Sequence, residues 1–157
     1  LPVTARWTPA DNYHITLRFI GEVDDEQADS IERALTAVHP PSFQVVPLGV
    51  GVLPSRRKPR VLTVRIEPTE SLRALYEALQ NALAAADVPP EERTFRPHIT
   101  LARLQDVQPE RLYAALKELE DGPSLTPFSA DEYLLYESAL TPEGAMHTIR
   151  SRFPLAA

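Results

Sequence analysis

The chain has 157 residues, 43% of them apolar and 24% charged, the composition of a compact domain able to bury its own core. Sixteen Lys and Arg against 22 Asp and Glu leave a formal charge of −6, which excludes sequence-blind binding to nucleic acid through net charge and leaves only a local basic patch open. With no Cys there is no disulfide framework, thiolate metal site or cysteine nucleophile. No apolar run approaches the roughly 18 to 20 residues that span a bilayer, and no secretory signal opens the chain, so the expected setting is the cytoplasm, away from membranes.

In chain order, a strand is expected over the first His-Ile-Thr-Leu, at 14–17. Asp24 or Asp25 then caps a helix whose apolar positions Ala28, Ile31, Leu35 and Val38 keep helical spacing, and His39-Pro40-Pro41 stops it. Two strand-like runs follow, 43–53 and 60–66, separated by the basic turn Pro54-Ser55-Arg56-Arg57-Lys58-Pro59. Thr69 opens a second helix with Leu72, Leu75, Leu79 and Leu83 on one stripe, ended by Val88-Pro89-Pro90. A second His-Ile-Thr-Leu at 98–101 begins another strand. Pro109 suits the first position of a helix carrying Leu112, Ala115, Leu116 and Leu119, which Gly122-Pro123 breaks. Strands at 128–138 and 146–153 close the chain around the turn Thr141-Pro142-Glu143-Gly144.

The two tetrapeptides lie 84 residues apart, and the same offset carries the helix and both strands after the first copy onto those after the second. The chain thus reads as one domain built on an internal repeat, about 13–66 and 97–154. A helix precedes the second copy, and the chain starts too late to supply its equivalent before the first. Together with the missing initiating Met, this predicts that an N-terminal strand and helix are missing from this sequence.

Alternation along a strand puts His14 and Thr16 on one face, with Ile15, Leu17 and Phe19 on the other; His98 and Thr100 share a face in the same way. A single His-x-Thr on a solvated strand needs no function, but the same polar pair in the same place in both repeats asks for one. Two His without a companion carboxylate are a poor zinc site, since a catalytic zinc typically takes three protein ligands. A Thr nucleophile would need an adjacent base on a strained turn, and no such motif is present. Two imidazoles do suit paired proton transfer. An unperturbed imidazole titrates at about pH 6.5, so one ring takes a proton from water while the other gives one to a leaving oxygen. Thr hydroxyls beside them suit the non-bridging oxygens of a phosphate. The chemistry expected is metal-independent phosphodiester hydrolysis, with no cofactor.

The stretches Asn12-Tyr13-His14-Ile15-Thr16-Leu17-Arg18-Phe19-Ile20-Gly21-Glu22 and Phe95-Arg96-Pro97-His98-Ile99-Thr100-Leu101-Ala102-Arg103 closely resemble the two signatures of the two-histidine phosphoesterase superfamily. Within it the sequence is most similar to the RNA 2′,3′-cyclic phosphodiesterases, or 2′-5′ RNA ligase-like proteins, over nearly the whole chain. The resemblance implies an α+β, bilobal, duplicated fold with two antiparallel sheets facing a central cleft and helices outside. It implies opening of a 2′,3′-cyclic phosphate, on an RNA 3′ end or a small cyclic nucleotide, to a 2′-phosphate. His14 would then donate the proton, His98 accept one from water, Thr16 and Thr100 hold the phosphate, and Phe19 and Arg103 line the nucleotide pocket. Joining RNA through a 2′-5′ bond at the same site, or binding RNA ends without catalysis, are the alternatives.

Strand parity disagrees with one part of this. Phe19 and Arg103 stand five residues after their His, an odd offset that turns them away from it unless each strand bends or ends there, and Arg18, at an even offset, is the runner-up for a phosphate contact on that ground. His147 departs from the family, where an aromatic residue is usual. Arg56, Arg57, Lys58 and Arg60 form the one basic cluster, able to steer an RNA end in an acidic protein. Trp7 and Tyr13 are expected in the core, and His39 at a helix end.

Overall fold

The computed structural model describes residues 4–120 and 125–157. The elements are strand β1 (Thr4–Trp7), helix α1 (Asp25–Thr36), strands β2 (Phe43–Val45), β3 (Pro47–Pro54) and β4 (Pro59–Ile66), helix α2 (Glu70–Ala85), strand β5 (His98–Gln105), helix α3 (Pro109–Glu120), and strands β6 (Phe128–Ala130), β7 (Glu132–Thr141) and β8 (Gly144–Pro154). The class is α+β with antiparallel pairing in every sheet. Two compact units are present, and each draws segments from both sequence repeats.

The first unit holds residues 1–17, 46–68 and 95–127. Its sheet runs β1-β5-β4-β3, so β3 is an edge strand. One face buries Leu62, Ala102 and Leu104 against Leu112 and Leu116 of α3, with Val50 and Val52 packed around them. These are the positions that the spacing of α3 and the alternation of β4 mark as apolar. The other face of the sheet carries the polar residues described below.

The second unit holds residues 18–45, 69–94 and 128–157. Asp24 caps α1 by accepting a hydrogen bond from Gln27 N at 2.8 Å, and Thr69 caps α2 by accepting one from Leu72 N at 3.2 Å. The stripes Ala28, Ile31, Leu35 and Leu72, Leu75, Leu79, Leu83 are buried as their spacing predicts. α2 ends with Asp87 in the left-handed region (φ 62°) and Val88 N bonded back to Leu83 O at 2.9 Å, a Schellman-type stop ahead of the two prolines. Tyr133 stacks on Phe153 with ring centroids 5.0 Å apart, and its hydroxyl donates toward Leu35 O and Val38 O at the end of α1, each at 2.6 Å.

Two sequence expectations need correction. The runs 43–53 and 128–138 are each two strands, not one. The first breaks at Val46 and the second at Asp131, and β2 leaves the sheet of β3 to pair with β6 around Gln44 and Ser129. Pro47, without an N–H to continue a ladder, stands at the first break. The expected strand at 14–17 reduces to one antiparallel bridge, Ile15 with Ile99. The chain leaves β5 after Thr8, which donates to Leu101 O at 2.8 Å, makes a single 3₁₀ turn at Ala10–Asn12, and rejoins β5 at Ile15. The proposed break of α3 at Gly122-Pro123 falls outside the described residues.

Candidate active site

Because Ile15 bridges Ile99 in antiparallel sense, His14 falls opposite Thr100, and Thr16 opposite His98. The bridge register therefore places each motif's Thr across from the other motif's His. In that register the two His take diagonal positions about the bridge, which in antiparallel pairing are about 7–8 Å apart, a spacing that suits a tetrahedral phosphate. His14, His98 and Thr100 are half-buried, and Thr16 is exposed.

Both imidazoles are held by the same device. His14 Nδ1 lies 2.8 Å from Asn12 O, and His98 Nδ1 lies 2.7 Å from Arg96 O, in each case the carbonyl two residues earlier. A carbonyl only accepts, so Nδ1 carries the hydrogen in both rings and Nε2 is the nitrogen that exchanges a proton. The two carbonyls are placed differently. Arg96 precedes Pro97, which restricts it to extended backbone, and Pro97 is itself buried, its carbonyl accepting from Ile66 N at 3.1 Å. Asn12 ends the 3₁₀ turn, in which Asn12 N bonds Pro9 O at 2.9 Å and Tyr13 N bonds Ala10 O at 3.2 Å.

Arg103 joins this face, against the parity expectation. In the ladder with β4, Thr63 pairs with Thr100 and Leu62 pairs with Ala102, leaving Leu101 without an opposite residue. That bulge inserts one residue into β5 and flips the alternation beyond it, so Arg103, opposite Val61, shares the face of His98 and Thr100. It is exposed and, among the described residues, its guanidinium makes no hydrogen bond or ion pair. The same insertion changes the repeat offset from 84 to 85. Gly21 (φ 91°) and Asp106 (φ 49°), both in the left-handed region ahead of a helix, are 85 apart, as are the starts of β2 and β6. Arg103 thus corresponds to Arg18, not to Phe19.

Arg18 and Phe19 belong to the second unit. The Arg18 guanidinium donates to Gln80 Oε1 on α2 and to Pro89 O, and its Nε to Phe19 O at 3.3 Å. These bonds tie the stretch after the first motif to α2 and to the segment that follows it, a structural use of the side chain. Phe19 is 68% exposed. Trp7 and Tyr13, expected in the core, are 55% and 45% exposed. His147 lies on the β7–β8 hairpin, where its Nδ1 is 2.8 Å from Ser138 Oγ and its ring meets Tyr136 edge-on. Among the described residues, no three His, Cys, Asp or Glu side chains are grouped as metal ligands would be, and no helix is long and apolar enough to cross a membrane. What sequence reasoning missed is the bulge: its signal is the extra residue between Thr and Arg in the second motif, visible once the two copies are compared beyond their shared tetrapeptide.

Comparison with known proteins adds to this geometry. A family model described as the 2′-5′ RNA ligase superfamily matches residues 4–141. The RNA 2′,3′-cyclic phosphodiesterase of Thermotoga maritima is 33% identical over 147 residues, 92% of this chain and 76% of that protein. The protein of the same name from Aeropyrum pernix is 31% identical over 140 residues, 87% of this chain and 78% of its own length. Among solved structures, Escherichia coli LigT complexed with 3′-AMP superposes with a TM-score of 0.74 at 25% identity, covering all of this chain (100%) and 84% of LigT. TT0787 of Thermus thermophilus gives the same TM-score, 0.74, at 25% identity, covering 96% of this chain and 82% of that one. The chain belongs to the 2′-5′ RNA ligase superfamily.

Proposed function

We propose that the chain is an RNA 2′,3′-cyclic phosphodiesterase, opening the cyclic phosphate at an RNA 3′ end to a 2′-phosphate. The observation that carries this reading is the bridged pair of His-x-Thr motifs, with both imidazoles anchored through Nδ1. His98 Nε2 takes a proton from water as the water oxygen attacks phosphorus. The bond from phosphorus to O3′ breaks, and His14 Nε2 delivers a proton to that oxygen. Thr16, Thr100 and the Arg103 guanidinium hold the non-bridging oxygens, whose charge grows during attack. Each proton transfer contributes typically about 10²–10⁴-fold. The reading implies no metal and places the enzyme in the cytoplasm, with RNA 3′ ends or small cyclic nucleotides as substrates.

The superfamily's description keeps one second reading in view, namely 2′-5′ joining with a 5′ hydroxyl in place of water, the same proton transfers run with a different nucleophile. One assay covers both. The protein is incubated in EDTA with an oligonucleotide ending in a 2′,3′-cyclic phosphate, with and without an excess of 5′-hydroxyl RNA, and the products are mapped. A 2′-phosphate formed without metal is the expected result. A 3′-phosphate, or no reaction until a divalent ion is restored, overturns the reading.

A further inference from the structure

The basic turn found in the sequence is not used by the site described above. Residues 46–66, the β3–β4 hairpin, contain five Arg and Lys and no Asp or Glu, in a chain of net charge −6. In the structure this hairpin borders a groove of about 640 Å³ along the free edge of β3, lined among others by Arg56, Arg65, Tyr113 and Lys117, with Glu120 as the one carboxylate in the lining among the described residues. Arg56 lies over the Tyr113 ring with its guanidinium carbon 4.4 Å from the centroid, and the Tyr113 hydroxyl donates to Arg56 O, so cation and ring are held as one platform.

Arg65 connects this groove to the catalytic face. It pairs directly with His98 on one side and with Gly49 on the other, so the row His98, Arg65, Gly49 crosses the sheet from an imidazole to the open edge. Two strand spacings make that crossing about 10 Å. The Arg65 stem lies over Gly51, where a Cβ would come within 2.8 Å of Arg65 Cδ and 2.9 Å of Cγ; the absence of a side chain there is what lets Arg65 lean toward the groove. Arg65 is exposed and, among the described residues, its guanidinium has no hydrogen bond or ion pair. The groove thus sets cations and an aromatic ring beside Gly51 at the free edge of β3, with Arg65 the residue that reaches it from the catalytic face.

Resting on the phosphodiesterase reading, we infer that Arg65, Arg56 and Lys117 bind the phosphates of the nucleotides preceding the terminal one, with Tyr113 as a surface for a base, so that the enzyme favours RNA oligomers over cyclic mononucleotides. The lining fits single-stranded RNA, which offers successive phosphate charges for the cations and a base for Tyr113 to stack on. An acidic peptide would supply the charges but would have no reason to cross to His98.

The test compares kcat/KM for a 2′,3′-cyclic mononucleotide and for a tetranucleotide with the same end, using the full chain, its Arg65→Ala variant and the double variant Arg56→Ala/Lys117→Ala. The ratio of oligomer to mononucleotide is expected to fall at least tenfold in the double variant, mainly through KM. Affinity for a tetranucleotide ending in 2′-phosphate, measured by fluorescence anisotropy, should lose salt dependence, the slope against log salt dropping by about 1.4 for two lost single-strand contacts. Lys117→Glu, an exposed change on α3, repeats the test should the double variant unfold. An unchanged ratio and slope in all variants would overturn the groove while leaving the phosphodiesterase reading intact; failure of the parent chain to turn over either substrate would instead overturn that reading.

Discussion

The two His-x-Thr copies are alike in sequence and unlike in structure. The copy at His98 sits on β5, a strand paired on both sides, with a buried proline fixing the carbonyl that holds its ring. The copy at His14 has one bridge to β5 and relies on a 3₁₀ turn for the same carbonyl bond. What both retain is the Nδ1 bond to the residue two positions earlier and the placement of His against the partner's Thr. The comparison teaches that the ring's anchoring is the common requirement, and that the strand is one of two ways to meet it.

The largest effects should come from the two rings. His14→Ala and His98→Ala are each expected to lower kcat on a cyclic phosphate by at least about 10²-fold, with modest change in KM; retention of full activity by either would break the equivalence. Removing a hydroxyl comes next. Thr100→Val and Thr16→Val should each cost about 10²-fold or somewhat less in kcat, Thr100 more than Thr16, since the half-buried hydroxyl has less water to replace it. Equal losses would mean that the two sites are more symmetric than their backbones.

Pro97→Ala sharpens the comparison further, because it loosens one carbonyl and leaves the other untouched. A several-fold fall in kcat is expected, with little change in KM. No change would mean that Arg96 is held without the proline.

Away from the site, Tyr133→Phe removes the hydroxyl whose single hydrogen is shared between Leu35 O in α1 and Val38 O just beyond it, and should destabilise the fold by about 1–3 kcal/mol in denaturant unfolding, with kcat unchanged. Burial pushes the Tyr133 phenol up to about 12 from 10.0. Its contribution is therefore full below pH 10 and is lost as pH rises toward 12. The smallest effect belongs to Glu32, held below its ordinary 4.5 by hydrogen bonds from Ser151 and then Arg150. Its ion pair with Arg150, 2.7 Å long, supports the fold above that pH and loses its support as pH falls. Glu32→Gln should cost within about 1 kcal/mol at neutral pH, and less at about pH 3.

Much of this was legible in the sequence. The caps Asp24 and Thr69, the buried positions of the three helical stripes apart from Leu119, which is 50% exposed, and the repeated motif with its four polar residues follow from local chemistry and spacing. The breaks at Val46 and Asp131 were not, since a run of strand-forming residues does not say which sheet each half joins. The placement of Arg103 was legible only in part: the extra residue between Thr100 and Arg103 marks an insertion, but which residue bulges is set by the register of β4, about 40 residues away in sequence. The interleaving of the repeats within each compact unit is likewise a property of pairing between distant segments, invisible to any local pattern.

The claim at the centre is that one imidazole protonates the departing 3′ oxygen while the other activates water. A cyclic substrate with sulfur in place of the bridging 3′ oxygen tests it most directly, because a thiolate leaves without needing a proton. The account predicts that this substrate restores most of the rate lost in His14→Ala and none of that lost in His98→Ala. Rescue of both variants, or of neither, would contradict the division of labour.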